Sequence, residues 1–198
     1  MLSTYNQQAN LMTTLEIRIN KTCIKHFIFT MCPSAISVFL LLLFTGCTFA
    51  NIDECTYELV ESIPEEVILR PSSPKIFDTL ISLVLNSKET LDIASLYWTL
   101  RCEDIDPGQI ASYCLQGETL LRLLVNAVKR NVKVRIAVNY DKDTNKSVDL
   151  IMLEKAGAEV RFVDFNKTIG AGVLHTKFMI SDNNSVFVGS ANMDWRSF

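Results

Sequence analysis

A chain of 198 residues, 48% of them hydrophobic, with a formal net charge of −3, has room for one domain plus flanking segments. Nineteen Lys and Arg against 22 Asp and Glu exclude the broad basic surface that binds nucleic acid by charge alone. Six cysteines without a CxxC pair lack the usual spacing of a structural zinc site.

Residues 1–26 are polar and read as a short, unstructured cytosolic tail. From Phe27 to Ile52 no residue is charged, and the centre is ISVFLLLLF, Ile36 to Phe44. About 20 apolar residues span a bilayer as a helix, so residues 27–50 are expected to be a transmembrane signal-anchor. Arg18, Lys21 and Lys25 precede the run, and Asp53, Glu54, Glu58 and Glu61 follow it. That asymmetry puts the N-terminus in the cytosol and residues 51–198 in the lumen, a single-pass type II topology. A rival reading fits the same run. Thr48-Phe49-Ala50 can serve as a signal-peptidase site, and the domain is then secreted. Both readings deliver residues 51–198 to the same, oxidising side.

On that side lie Cys55, Cys102 and Cys114. The number is odd, so at least one has no partner within the chain. Cys102 and Cys114 flank one loop and can close it; three free thiols are the alternative. Asn145, Asn166 and Asn183 each head an N-x-S/T triplet and are glycosylation candidates if lumenal.

Further along, TYELVESI (Thr56 to Ile63) reads as a first strand and Pro64–Ser73 as a loop. Ser73-Pro74 reads as a cap and first helical turn, followed by Phe77, Leu80, Ile81, Val84 and Leu85 at helical spacing. LDIASLYW (Leu91 to Trp98) is a buried strand, and Arg101–Cys114 a polar loop turning at Pro107-Gly108. Leu120, Leu121, Leu124, Val125 and Val128 mark a second helix, and VKVRIAVNY (Val132 to Tyr140) a strand. A third helix is expected from Ser147 to Ala156, ended by Gly157. AEVRFVDF, TKFMISD and SVFVGSAN close the series as strands, the last two joined at Asn183-Asn184. Alternating helices and strands predict an α/β sandwich with a mixed sheet.

The chemistry is concentrated in HTKFMISD (His175 to Asp182) and GSANMDWRSF (Gly189 to Phe198). Residues i and i+2 of a strand share a face, so His175 and Lys177 are expected side by side. An ammonium neutralises phosphate oxygens while an imidazole attacks phosphorus or moves a proton. Asp182, an odd number of residues on, falls on the other face and reads as orienting backbone. Ser190 and Asn192 again share a face and can donate to the same phosphate, with Gly189 allowing close approach. No carboxylate-histidine cluster is present to hold a metal, and no cofactor is expected. Tyr97 and Trp98 can stack on bases, though buried-strand aromatics are more often core.

His175, Lys177 and Asp182 with Gly189-Ser190-Ala191-Asn192 resemble the HKD motif of the phospholipase D superfamily. LVESIPE, LDIASLYWTL, VKVRIAV, GVLHTKF and GSANMDWRS extend the resemblance over residues 55–198, to the animal endolysosomal type II membrane branch of phospholipase D-like 5′-exonucleases. The resemblance implies a phospholipase D-like α/β sandwich, one half of the usual two-repeat fold, behind an N-terminal transmembrane helix. It implies that His175, Lys177 and Asp182 form the catalytic motif, with Lys177, Ser190 and Asn192 binding phosphate. One of two histidines forms a phosphohistidine and the other protonates the leaving group. Cys55 is implied to pair with a later cysteine of a full-length relative. The implied substrate is single-stranded DNA or RNA, with phospholipid the alternative; the implied address is endoplasmic reticulum to endolysosomal lumen.

Only one HKD motif is present, and the other histidine is His26. Three readings compete: half of a longer exonuclease lacking its C-terminal half; a homodimer contributing two copies of His175; and an inactive membrane-anchored binding or decoy protein. In each, the isolated chain exposes the apolar surface that a second half would cover.

Overall fold

The computed structural model describes residues 16–20 (backbone only), 56–63, 73–102, 114–141 and 147–198. The elements in order are β1 (Glu16–Asn20), β2 (Tyr57–Val60), α1 (Ile76–Asn86), β3 (Thr90–Ser95), β4 (Trp98–Thr99), α2 (Leu115–Lys129) and β5 (Lys133–Asn139). Then follow α3 (Val148–Ala156), β6 (Glu159–Val163), α4 (Phe165–Ile169), β7 (Phe178–Ser181), β8 (Ser185–Val188), β9 (Met193–Asp194) and a 3-10 turn at Trp195–Ser197.

Seven strands form one sheet in the order β2-β1-β8-β7-β3-β5-β6. β3, β5 and β6 run parallel, while β7, β8, β1 and β2 extend the sheet antiparallel. The fold is therefore an α/β sandwich with a mixed sheet, as the alternating pattern predicts. One face is apolar: Leu91, Ile93, Val134, Ile136, Val138, Val160, Met179 and Phe187 are buried. Against it the helices bring Ile76, Leu80 and Leu83 of α1, Leu120 and Leu124 of α2, and Leu150 and Leu153 of α3. Each such side chain contributes roughly 1.5–3 kcal/mol on leaving water. On the other face of β3, β5 and β6 stand Asp92, Arg135, Glu159 and Arg161. Arg135 makes two N–H contacts to the Asp92 carboxylate, and Lys133 pairs with Glu159 at 3.3 Å. Apolar surface is exposed elsewhere, at Val148, Ile151 and Met152 of α3 and at Val188 of β8.

Several boundaries differ from the expectation. α1 begins at Ile76 with Lys75 as its N-cap and no side-chain cap bond. Ser73 and Pro74 instead tie back to β2: Ser73 N donates to Glu61 Oε1 at 3.3 Å and Glu61 N to Pro74 O at 2.9 Å. LDIASLYW breaks after Ser95, and Trp98–Thr99 pairs with β9 in a separate two-stranded ladder. The predicted AEVRFVDF strand stops at Val163, because Asp164 caps a short helix by accepting from Lys167 N. α3 meets its expected limits, with Gly157 at φ 110° as the left-handed C-cap.

Gly117 permits one close approach. A Cβ there would lie 2.2 Å from Leu100 O and 2.7 Å from Trp195 Cβ. Its absence lets α2 pass directly beneath the segment that follows β9.

Within the segment expected to be a polar tail, Glu16–Asn20 form a strand. These five residues pair with β2 and with β8. EIRIN alternates polar and apolar residues, the period-two signature of a strand, which overall polarity conceals. Residues 27–50, the expected membrane span, lie outside the described residues, as does Cys55. Among the described residues no helix is long and apolar enough to cross a membrane. Deleting residues 1–20 is expected to unpair β2 and uncover the β8 edge, lowering the melting temperature and promoting aggregation. Thermal melts of the two chains check this; an unchanged melt would return residues 16–20 to the tail.

Candidate active site

The HKD segment does not start as a strand. β7 begins at Phe178, so His175 and Lys177 lie in the loop leading into it. Strand alternation therefore does not set their relation. Burial and hydrogen bonding do. Lys177 is only 5% exposed, while His175 stands exposed. The Lys177 ammonium donates to His175 O at 2.6 Å and lies 3.3 Å from His175 Nδ1. Burial pushes the Lys177 ammonium below the ordinary lysine range.

The β7–β8 pairing extends past the strand ends through Gly189 N, which donates to Lys177 O at 3.1 Å. This brings the Gly189–Asn192 loop alongside the HKD loop. Ser190 is exposed and Asn192 half-buried. Neither lies on a strand, so the expected shared face is replaced by a loop held from below. Ser95, fully buried at the end of β3, holds it. The Ser95 hydroxyl lies 3.2 Å from Asn192 Oδ1 and 3.0 Å from Tyr97 O, and accepts from Met193 N at 3.2 Å. Leu96 N also donates to Asn192 Oδ1, at 3.2 Å. These bonds commit the Asn192 oxygen to the scaffold.

Asp182 takes no part in this cluster. It stands at the far end of β7, roughly 15 Å from Lys177 along the strand. Its carboxylate accepts from Lys88 N at 2.9 Å, Glu89 N at 2.8 Å and Thr90 N at 2.9 Å. Burial alone would raise its pKa, but the three amides and the Lys88 charge outweigh that and hold it below the usual carboxylate range. The motif aspartate thus clamps the α1–β3 turn, at φ 51°.

The HKD loop lies at the C-terminal ends of the parallel strands β3 and β5, where open α/β sheets bind ligands. Sequence reasoning missed Ser95, whose only signal is a hydroxyl at the end of a buried strand. Trp98 is 2% exposed and belongs to the core, not to a stacking platform. Cys102 and Cys114 form a disulfide with Cα atoms 5.4 Å apart, within the usual range. Asn166 and Asn183 are exposed, and Asn145 lies outside the described residues. Among the described residues no group of three His, Cys, Asp or Glu is placed to hold a metal.

A family model described as "Cardiolipin synthase, PLD-like domain" matches residues 80–198. The chain belongs to the PLD-like domain family. Its relatives include the 5'-3' exonuclease PLD3 of Xenopus laevis, 43% identical over 148 residues. That match covers 73% of this chain and 29% of the relative. The Homo sapiens PLD3 is 41% identical, with 73% and 30% covered. The virion nicking-joining enzyme of Vaccinia virus is 39% identical over 147 residues, with 74% and 32% covered. The PLD-like chain thus spans about three-tenths of the length of these curated relatives. Among solved structures, Nuc from Salmonella typhimurium aligns over 59% of this chain and 63% of its own, at 22% identity and TM-score 0.41. NucT from Helicobacter pylori aligns over 61% and 68%, at 21% identity and TM-score 0.43.

Proposed function

We propose that the PLD-like domain supplies one half of a phosphodiesterase site that hydrolyses single-stranded nucleic acid. The observation that carries this reading is the buried Lys177 ammonium lying 3.3 Å from the ring of the exposed His175. A buried cation beside a solvent-facing imidazole suits an anionic substrate whose phosphorus is to be attacked. The names of the relatives, an exonuclease and a nicking-joining enzyme, support nucleic acid as the substrate class.

In the proposed reaction one imidazole attacks phosphorus, and the phosphorus–oxygen bond to the leaving nucleotide breaks. A second histidine protonates the departing oxygen. Water then cleaves the phosphohistidine, giving up its proton to that second histidine. Lys177, Ser190 and Asn192 hold the non-bridging oxygens throughout. The second histidine comes from a further motif in a longer chain or from a second copy. The Cys102–Cys114 disulfide supports an exported location, since such bonds persist in oxidising compartments.

The test uses end-labelled single-stranded DNA and RNA, with phospholipid vesicles as the competing substrate, over a dilution series of the 198-residue chain. The strict monomer is expected to show negligible turnover, and the assembled form to release nucleotides. His175→Ala is expected to lower that rate by about 10³-fold or more while leaving the melting temperature in place. Vesicle hydrolysis without nucleotide release would move the reading to lipid. Turnover that survives His175→Ala would overturn it, and oligonucleotide binding without cleavage in every assembly would favour a binding protein.

A further inference from the structure

We infer that Asn139 is a positioning residue for His175, and this rests on His175 being the reactive group. Asn139 ends β5 and is 8% exposed. Its Oδ1 accepts from Leu174 N at 2.9 Å, across 35 residues of sequence. Its Nδ2 donates to Tyr140 O at 3.1 Å. These partners orient the amide: a backbone N–H demands the oxygen and a backbone carbonyl demands the nitrogen. Turning the side chain over would break both bonds.

Leu174 immediately precedes His175. Upstream of it, Gly170 and Gly172 adopt φ of 85° and 95°, so the backbone entering the site carries little steric restraint of its own. Downstream, Lys177 holds His175 O at 2.6 Å. The exposed imidazole is therefore borne on a short backbone span held at two points. Lys177 is one, and the sheet, through Asn139, is the other. Tyr140 N donates to Val163 O at 2.9 Å, which ties the Asn139 end of β5 to β6 and makes it a rigid anchor. A displacement of about 1 Å in a reacting group can cost about 100-fold in rate, so this tie bears on chemistry as well as on order in the loop.

The test reads position rather than turnover. Hydrogen exchange of the Leu174 amide is measured in the full 198-residue chain for wild type, Asn139→Ala and Asn139→Asp. Asn139→Ala is expected to speed exchange at Leu174 about tenfold or more, with the amides of Val134, Ile136 and Val138 unchanged. Asn139→Asp keeps one acceptor oxygen for Leu174 N but turns its other oxygen toward Tyr140 O, and is expected to fall between wild type and Asn139→Ala. Unchanged protection in Asn139→Ala, or acceleration spread evenly over β5, would overturn the inference. If Asn139→Ala does not fold, Asn139→Leu, of similar size and with no acceptor, is measured instead: faster exchange at Leu174 supports the tie, and wild-type protection refutes it. In an assembled, active form Asn139→Ala should lower kcat about 10- to 100-fold and leave KM in place; a change confined to KM would count against positioning. Were the nuclease reading to fail, wild type would show no turnover, and the exchange result would still stand.

Discussion

Lys177→Met is expected to cut turnover of the assembled enzyme by about 10²–10³-fold without lowering the stability of the fold. The two directions have one cause. Lys177 is buried, and burial holds its ammonium below the ordinary lysine range. Folding therefore carries a desolvation cost that methionine, of similar reach and no charge, does not. Loss of the cation removes the group proposed to face the phosphate oxygens, so turnover is expected to fall. The pH dependence follows from the sign of the shift. The unfolded chain binds the Lys177 proton more tightly than the folded one. Wild-type stability therefore rises with pH between the depressed folded value and the ordinary value of about 10.4. Lys177→Met lacks that alkaline rise. Urea unfolding at neutral and alkaline pH, beside single-stranded nuclease assays, checks both halves. A variant that loses stability and activity together would make Lys177 a structural cation.

Asp182→Ala is expected to do the reverse, costing stability and sparing the chemistry. Three backbone amides, Lys88, Glu89 and Thr90, point at one carboxylate. Losing a charged acceptor of this kind costs about 2 kcal/mol, or roughly 4–8 °C in melting temperature for a domain of this size. Asp182→Asn keeps an oxygen and should fall between. Because the folded pKa lies below the unfolded one, the stabilisation is fully present above the ordinary value of about 3.9. It is lost as pH falls through the lower, folded value. The clamp therefore holds at mildly acid pH and fails only under strong acid, and Asp182→Asn flattens that acid limb. Turnover per folded molecule should stay near wild type, because the carboxylate is a strand's length from His175. A large loss of kcat in fully folded Asp182→Asn would return the residue to the reaction.

Periodicity made much of this molecule legible. Val134, Ile136 and Val138 alternate with Lys133 and Arg135 because one face of β5 meets helices and the other carries charge. Leu120, Leu121 and Leu124 recur at helical spacing because one stripe of α2 meets that sheet. The HKD and GSAN motifs singled out His175, Lys177, Ser190 and Asn192. The odd spacing of Asp182 separated it from them. These are local signals, carried by neighbours a few residues apart.

Relations between distant segments decided the rest. Alternation on a strand would bring His175 beside Lys177. What joins them is a buried ammonium bonded to a loop carbonyl, and only packing determines which side chain is buried. Ser95 reaches Asn192 and Asn139 reaches Leu174 across 97 and 35 residues, and no short window of sequence contains both ends of either bond. Glu16–Asn20 joins β8 across most of the chain length, so overall polarity near the N-terminus could not reveal it. Sequence by itself thus determined the family motif and the residues proposed to meet phosphate. Only the tertiary structure decided where each is held, because hydrogen bonds and burial act through space and periodicity acts along the chain.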